Sequence, residues 1–367
     1  MKSYKSTTPR RSATMLAVLL CMIAFSLPLS AAKSESLFSR QVSRTFSAGN
    51  GDKLDVSNIY GNITLTHWDK PNVSIEVKVT LKAKSKEDAQ NLLDDVEIEM
   101  EKSGATVLAR TNLTGNRNFK DLKVNYTIFA PVYVGTSLDQ RYGNITTDDF
   151  KAPLKVKCRY GKISLGSVVN ADIDVDYCND CTLGNANNLD LNFSYSGLTM
   201  GNANNIQADF RYSNLKAGKI SKADASFRYS NLRINEIGTL KLSLDYGNFD
   251  CERLTGSLMV PSFSYSNMTL SNLNPEFKAV DISCRYSNVN ISVAKTASFK
   301  VDASGLKYGS CKVDGFTVRN RNNSSGFDSR RQTSESCCLD VNGGNGGTIV
   351  FDGGGYSKFR IKASLAD

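Results

Sequence analysis

The chain contains one histidine, His67. A histidine metal cluster is therefore excluded, and any Ser-His-Asp or Cys-His arrangement would rest on this single imidazole. His67 lies in "LTHWDK", an alternating stretch, and reads as an ordinary strand residue. The second constellation is Lys157 and Arg159, followed one repeat later by Asp174 and Asp176. An arginine base beside two carboxylates holding calcium is the machinery of a polysaccharide lyase. Opposite charges on neighbouring strands also pair, at ~0.2–1 kcal/mol each, and a metal site would want more carboxylates than these two. We expect charge pairing here, with no catalytic residue, metal or cofactor. The glycine-rich "GGNGGTIVFDGGG" lacks the Lys-Ser/Thr and the helix start that phosphate binding needs.

Nine cysteines are present, eight of them beyond residue 32. Cys178 and Cys181 flank a corner in "DYCNDC", where a local disulfide is expected if the compartment is oxidising. A zinc site would need further ligands, and none is near in sequence. Cys158, Cys251, Cys284 and Cys311 fall at inward positions of the repeat described next, where cysteine packs as a small apolar group.

The positioning framework is a tyrosine repeat. "RYGNI" at Tyr142 is followed by Tyr160, Tyr177, Tyr195, Tyr212, Tyr229, Tyr246, Tyr265, Tyr286 and Tyr308, at intervals of 17 to 22 residues. Two residues before the tyrosine stand Cys158, Val175, Phe193, Phe210, Phe227, Leu244, Phe263, Cys284 and Leu306. Three and five residues after it stand Ile145, Ile163, Leu198, Leu215, Leu232, Phe249, Met268 and Val289, then Leu165, Met200, Ile234, Leu270 and Ile291. Period-two alternation on both sides requires strands. The inward parity flips just after the tyrosine, which places a corner there. Gly or Ser follows the tyrosine in nine of ten copies, and Asn comes next in seven. Those types accept positive φ, so they are expected to make the bend. Ten such copies predict an all-β solenoid, a right-handed parallel β-helix of about ten 17–22-residue coils.

The column admits two roles for its rings. Tyr195, Tyr212, Tyr229, Tyr246, Tyr265 and Tyr286 would form a binding strip if exposed. Their shared parity with the inward position two residues earlier favours a ladder packed at the corner instead.

Residues 33–131 differ. "YGNITL" at Tyr60 is a first corner, eighty-two residues ahead of the next. "VSIEVKVTLKA" is an amphipathic strand, Ser85 caps a short helix, and Ser103-Gly104 turns a hairpin. This region is expected to be a β-rich cap carrying one helix, closing one end of the repeats at 132–318. A polar, basic, glycine-rich loop is expected at 319–347, and final strands at 348–367. Residues 1–32 carry Lys2, Lys5, Arg10 and Arg11, a short apolar run and small residues before position 33, the order of a secretory signal peptide. Its removal lowers the net charge from +9 to +5, since the segment holds four basic and no acidic residues. That is mild for so long a chain: no nucleic-acid grip is implied. The remainder offers no transmembrane segment.

"YGNITL", the short helix, and "YTIFAPVYVGTSLDQRYGNITTDDF" together resemble the bacterial putative-adhesin families of β-strand repeats, domains of unknown function that include the head GIN type. The resemblance spans residues 33–367. It implies export to the periplasm or outer surface of a Gram-negative bacterium and no catalytic motif. The expected role is a non-enzymatic structural or binding module whose partner is a glycan or an envelope or surface protein. The alternatives are a periplasmic sensory partner of an envelope signalling system and, third, a carbohydrate-active enzyme.

Overall fold

The computed structural model describes residues 35–115, 119–321 and 336–364. The signal-peptide segment lies outside the described residues, as does the basic stretch 322–335. The architecture is all-β, with one helix among the described residues.

Alternation and period act together to set the pairing. Leu154–Arg159, Val168–Asp176, Ala186–Ser194, Ala203–Arg211 and Asn214–Arg228 pair in parallel, each with the next, so that equivalent repeat positions face each other. Register is held because a one-residue slip would turn every core side chain to solvent. From Asn214 the strand that follows one tyrosine bend runs on into the strand that precedes the next, giving Asn214–Arg228, Asn231–Asp245 and Asn248–Ser264, also mutually parallel. The tyrosine interval lengthens from 17 to 19 residues between Tyr246 and Tyr265. The register shifts of Asn248–Ser264 between Ile237/Thr239 and Lys241/Ser243 absorb the extra residues.

Like side chains therefore stack on like inside. Phe193, Phe210 and Phe227 are buried, with ring centroids 4.9 and 4.8 Å apart. Full burial of each such ring stabilises by roughly 1.5–3 kcal/mol. Cys158, Cys251, Cys284 and Cys311 are buried in the same interior.

The segment between the first two corners folds onto one end. Lys53–Ile59 pairs in parallel with Gly135–Arg141, and Ile63–Trp68 with Asn144–Thr147, so the Tyr60 corner adjoins that of Tyr142. The intervening chain supplies Asn72–Ala83 and Lys120–Pro131, which form an antiparallel set with the earlier strand Ser36–Ser47. Helix Lys86–Asp94 starts at Ser85, whose Oγ accepts from the Asp88 N–H at 3.1 Å. The hairpin Val96–Ser103/Thr106–Leu113 turns at Gly104.

The other end departs from the sequence expectation. The copy after Tyr286 is not that of Tyr308. The C-terminal strands Thr348–Gly353 and Lys358–Ser364 lie between them, pairing in parallel with Ala279–Arg285 and Asn288–Ala294 on one side and with Phe299–Ser304 and Ser310–Asp314 on the other. Cys337–Val341, within the segment expected to be a loop, is a strand antiparallel to Phe299–Ser304. "YSKFRI" obeys the corner columns, with Ser357, Phe359 and Ile361 buried or at inward positions, and so competes successfully for an internal place.

A buried polar network ties the first rung to its neighbour. Asn58 Nδ2 donates to Val124 O at 2.8 Å and to Gln140 Oε1 at 2.9 Å. Thr111 Oγ1 donates to Asn58 Oδ1 and lies 2.9 Å from the Tyr126 hydroxyl. Burial pushes the Tyr126 phenol from 10.0 up to about 12, outweighing the Thr111 hydrogen bond. The unfolded chain therefore loses this proton first, and the contribution, on the order of 3 kcal/mol, is present below pH 10 and lost towards pH 12. Urea melts of the wild type and of Tyr126→Phe should diverge over this window, with the variant showing the shallower loss of stability.

Candidate functional site: a ridge of stacked tyrosines

The bend is made by tyrosine itself. Tyr60, Tyr142, Tyr160, Tyr177, Tyr195, Tyr212, Tyr229, Tyr246, Tyr265, Tyr286, Tyr308 and Tyr356 all have positive φ, between 49° and 64°. The expectation that the following Gly, Ser or Asn supplies this conformation is thus corrected: at Ser213, Ser230, Asn214 and Asn231 φ is not positive. The left-handed twist at tyrosine reverses the direction of its own side chain. The residue two earlier stays inward, the ring turns outward, and the next residue points in.

Three ladders follow. From Tyr60 to Tyr286 each corner tyrosine N–H donates to the carbonyl before the next tyrosine in the stack, as Tyr212 N does to Arg228 O at 3.0 Å. The serine after it is buried and bonds three ways: Ser213 Oγ donates towards Arg211 O (2.7 Å) and Phe193 O (3.2 Å) and accepts from the Ser196 N–H at 3.0 Å. Ser230 repeats this one rung on, accepting from the Ser213 N–H. Where glycine takes the place, backbones come too close for a Cβ, which at Gly143 would lie 1.5 Å from Gly61 O. Outside, Asn231, Asn248, Asn267 and Asn288 each donate Nδ2 to the Oδ1 of the asparagine before, at 2.8–3.2 Å.

The rings themselves form eleven consecutive stacks in the order 60, 142, 160, 177, 195, 212, 229, 246, 265, 286, 356, 308. Centroids are 4.7–5.5 Å apart and planes within 15°. They remain exposed, Tyr212 at 50% and Tyr229 at 46%. Ladder and strip are consequently one object, because ring faces are covered by neighbours while edges and hydroxyls meet solvent. The parity argument failed because it assumed an extended tyrosine. The six tyrosines expected in the strip all belong to the ridge, and six more extend it. Tyr356 was detectable from its own corner motif.

Charge beside the ridge is uneven. In the column preceding the tyrosines, Arg141 faces Arg159 and Arg211 faces Arg228, all exposed. Like charges directly opposite destabilise a sheet; here Asp176 facing Arg159, Asp245 facing Arg228 and Asp209 bonded to Arg211 at 3.2 Å offset them, and the column keeps an excess of arginine.

Elsewhere the expected chemistry is not assembled. Lys157 faces Asp174, and Arg159 faces Asp176, in register on adjacent strands. The carboxyl of Asp176 is raised by burial, with Arg159 pulling the other way. No cluster among the described residues has three or more metal-ligating side chains placed to hold an ion. His67 lies 3.1 Å through Nδ1 from Ala130 O and packs edge-on to Phe150. Cys178 and Cys181 are buried free thiols, and the Cys178 Sγ is 3.7 Å from that of Cys158. Hydrogen bonds from the Cys158 and Cys181 thiols and from the Gly161 N–H draw the Cys178 thiol pKa down.

No family model matches the sequence, and no curated protein matches it. Among solved structures, a putative adhesin from Parabacteroides distasonis is 13% identical, covers 69% of this chain and 90% of its own, and has a TM-score of 0.34. A putative adhesin from Bacteroides fragilis is 12% identical, with coverage of 88% and 97% and a TM-score of 0.27. A putative lipid binding protein from P. distasonis is 10% identical, with coverage of 88% and 97% and a TM-score of 0.32.

Strain and stacking at the corner can be separated. Tyr229→Ala removes the ring and keeps a Cβ at positive φ, whereas Tyr229→Gly removes the ring and the strain together. The glycine variant should unfold at higher urea, by about 1 kcal/mol, although it is the smaller residue. Equal midpoints would mean that the corner stores no strain.

Proposed function

We propose that this chain is an exported, non-enzymatic, right-handed parallel β-helix serving at the cell envelope as an adhesion-type binding module, with the tyrosine ridge as its contact face. Tyr195, Tyr212, Tyr229, Tyr246, Tyr265 and Tyr286 form the central part of that face. The observation that carries the reading is the exposure of stacked rings beside a column in which arginine outnumbers aspartate. Tyrosine offers a large contact area with little side-chain entropy to lose, and the ladder has already fixed these rings. Ring faces are covered, so a sugar cannot stack on them inside the ridge. Edges, hydroxyls and guanidinium groups suit a partner that presents carboxylates, an acidic surface protein or an acidic glycan. No helix among the described residues is long and apolar enough to cross a membrane, which agrees with a partner met at a surface.

The test is an array of immobilised acidic and neutral glycans and purified envelope or matrix proteins, probed with residues 33–367. At least one acid-bearing ligand should bind, more weakly at high salt. The double variant Tyr212→Gly/Tyr229→Gly, with its strand signal in circular dichroism intact, should lose tenfold or more. A ligand held equally by both proteins would remove the ridge from the reading.

Export to an oxidising compartment would also let Cys178 and Cys181 close the local bridge. Non-reducing peptide mapping of protein secreted by its own leader should then recover a Cys178–Cys181 cross-linked peptide. Full alkylation of both after denaturation without reductant would show them to be thiols throughout.

A further inference from the structure

A second concave surface runs along the same rungs, five to seven residues upstream of the tyrosines. It is a groove of about 1070 Å³, spanning seven rungs from Lys53 and Asp55 to Lys222 and Asp224. At a strand separation of roughly 4.8 Å, that is about 29 Å long. Its walls are two outward columns, seven and five residues before the tyrosine, such as Asn170 and Asp172, flanking a residue whose side chain turns into the core, such as Ala171. Tyr133 stands at one end, its hydroxyl donating to Ala48 O at 3.0 Å.

The walls have a definite chemistry. Over three adjacent rungs of one wall runs a ladder of carboxamides, with Asn188 Nδ2 donating to Asn170 Oδ1 at 2.7 Å and Asn205 Nδ2 to Asn188 Oδ1 at 2.9 Å. A carboxamide has two N–H donors and an oxygen with two lone pairs. Each rung of this ladder therefore has a further donor and acceptor to offer. A hydroxyl group, which both donates and accepts, answers that pair. The other wall is charged but nearly balanced, with five carboxylates against three ammonium groups lining the whole groove. Within it Lys155 pairs with Asp172 at 2.9 Å, and Asp224 pairs with Lys241 beside it at 3.0 Å. Asp52 pairs with Lys102 at 2.8 Å and Asp55 lies 3.9 Å from Arg110, so the groove carries little net charge with which to hold a polyion. The floor is a sheet face whose backbone groups are engaged between rungs, so a peptide cannot add as a strand.

We propose that this groove binds an unbranched, neutral polysaccharide in extended form, advancing about one sugar per rung with its hydroxyls on the asparagine ladder. The site is separate from the tyrosine ridge and takes an uncharged ligand where the ridge takes an acidic one, and it stands without that reading.

Isothermal titration of residues 33–367 with linear neutral oligosaccharides of two to six sugars (gluco-, xylo- and manno-series) tests it. At least one series should bind, with affinity rising at least tenfold from dimer to hexamer, as a multi-rung groove demands. Asn188→Trp, which fills the groove from its outer side, should abolish binding. Asn205→Asp, nearly isosteric and exposed, should weaken it at least fivefold, so the prediction survives if the tryptophan variant does not fold. Tyr212→Gly/Tyr229→Gly should bind as the wild type does, which separates this site from the ridge. Absence of binding in all three series overturns the proposal. So does equal binding by Asn205→Asp, or tighter binding of polygalacturonate at the same site.

Discussion

Holding a tyrosine at φ near +50° costs on the order of 1–2 kcal/mol against the extended conformation, and this chain does so twelve times. A single such corner would be a poor trade. Repetition changes the outcome, because the positive φ sets three neighbouring ladders at once. The ring swings out to lie on the next ring, the serine turns in to bridge two carbonyls and an N–H, and the asparagine reaches its counterpart one rung away. Stacked aromatic pairs add roughly 0.5–1.5 kcal/mol beyond their buried area, and satisfied serine bonds contribute about 1 kcal/mol each. These gains exist only where a neighbouring rung presents the same corner. Stability therefore resides between repeats, not within them, and a rung with a different corner residue would weaken both neighbours.

The same dependence on neighbours makes the two ends a problem, since a terminal rung has one ladder unmatched and one strand edge open. At the first end the chain inserts its helix and antiparallel strands between the Tyr60 and Tyr142 corners, then returns to stack the two corners at 5.2 Å. At the other end the polypeptide places its last strands inside the array, between the Tyr286 and Tyr308 corners. Sequence separation is irrelevant to the ladder; only the columns matter. That is why "YSKFRI", more than forty residues beyond Tyr308, can occupy an internal rung.

Much of the strand layout was legible in the residues because burial enforces columns. Phe193, Phe210 and Phe227 must recur at one period to stack, and Leu215 and Leu232 must follow the bend at a fixed offset. The location of the bend was legible too, but its conformation was not. Serine, glycine and asparagine are the residues that general propensity assigns to positive φ, and in this corner each is occupied otherwise, by core hydrogen bonds or by the outer amide ladder. The tyrosine ring was consequently placed inside by parity, although a left-handed residue breaks the alternation on which parity rests. The order of the last rungs was hidden for a different reason: period alone cannot tell which of two matching corners stacks first. The groove was hard to see because its two columns carry mixed residue types, and only the spacing of Asn170, Asn188 and Asn205 hints at it.

Columns that repeat and columns that vary then answer to different pressures. The serine, phenylalanine and tyrosine columns repeat because an unlike neighbour would leave a hydrogen bond or a ring face without its partner. The column five residues before the tyrosine reads Asp55, Ser137, Lys155, Asp172, Asp190, Gln207, Asp224 and Lys241. No ladder constrains it, so neutral residues and both signs of charge occur there, and Asp172 faces Lys155 on one side and Asp190 on the other. The column beside the ridge likewise varies, with Arg141 facing Arg159 but Arg159 facing Asp176. A scaffold whose stability is supplied by three repeated columns leaves the remaining positions free to vary. Two unlike faces, one aromatic with an excess of arginine and the other amide-lined with its charges largely paired, are what that freedom permits on a single set of strands.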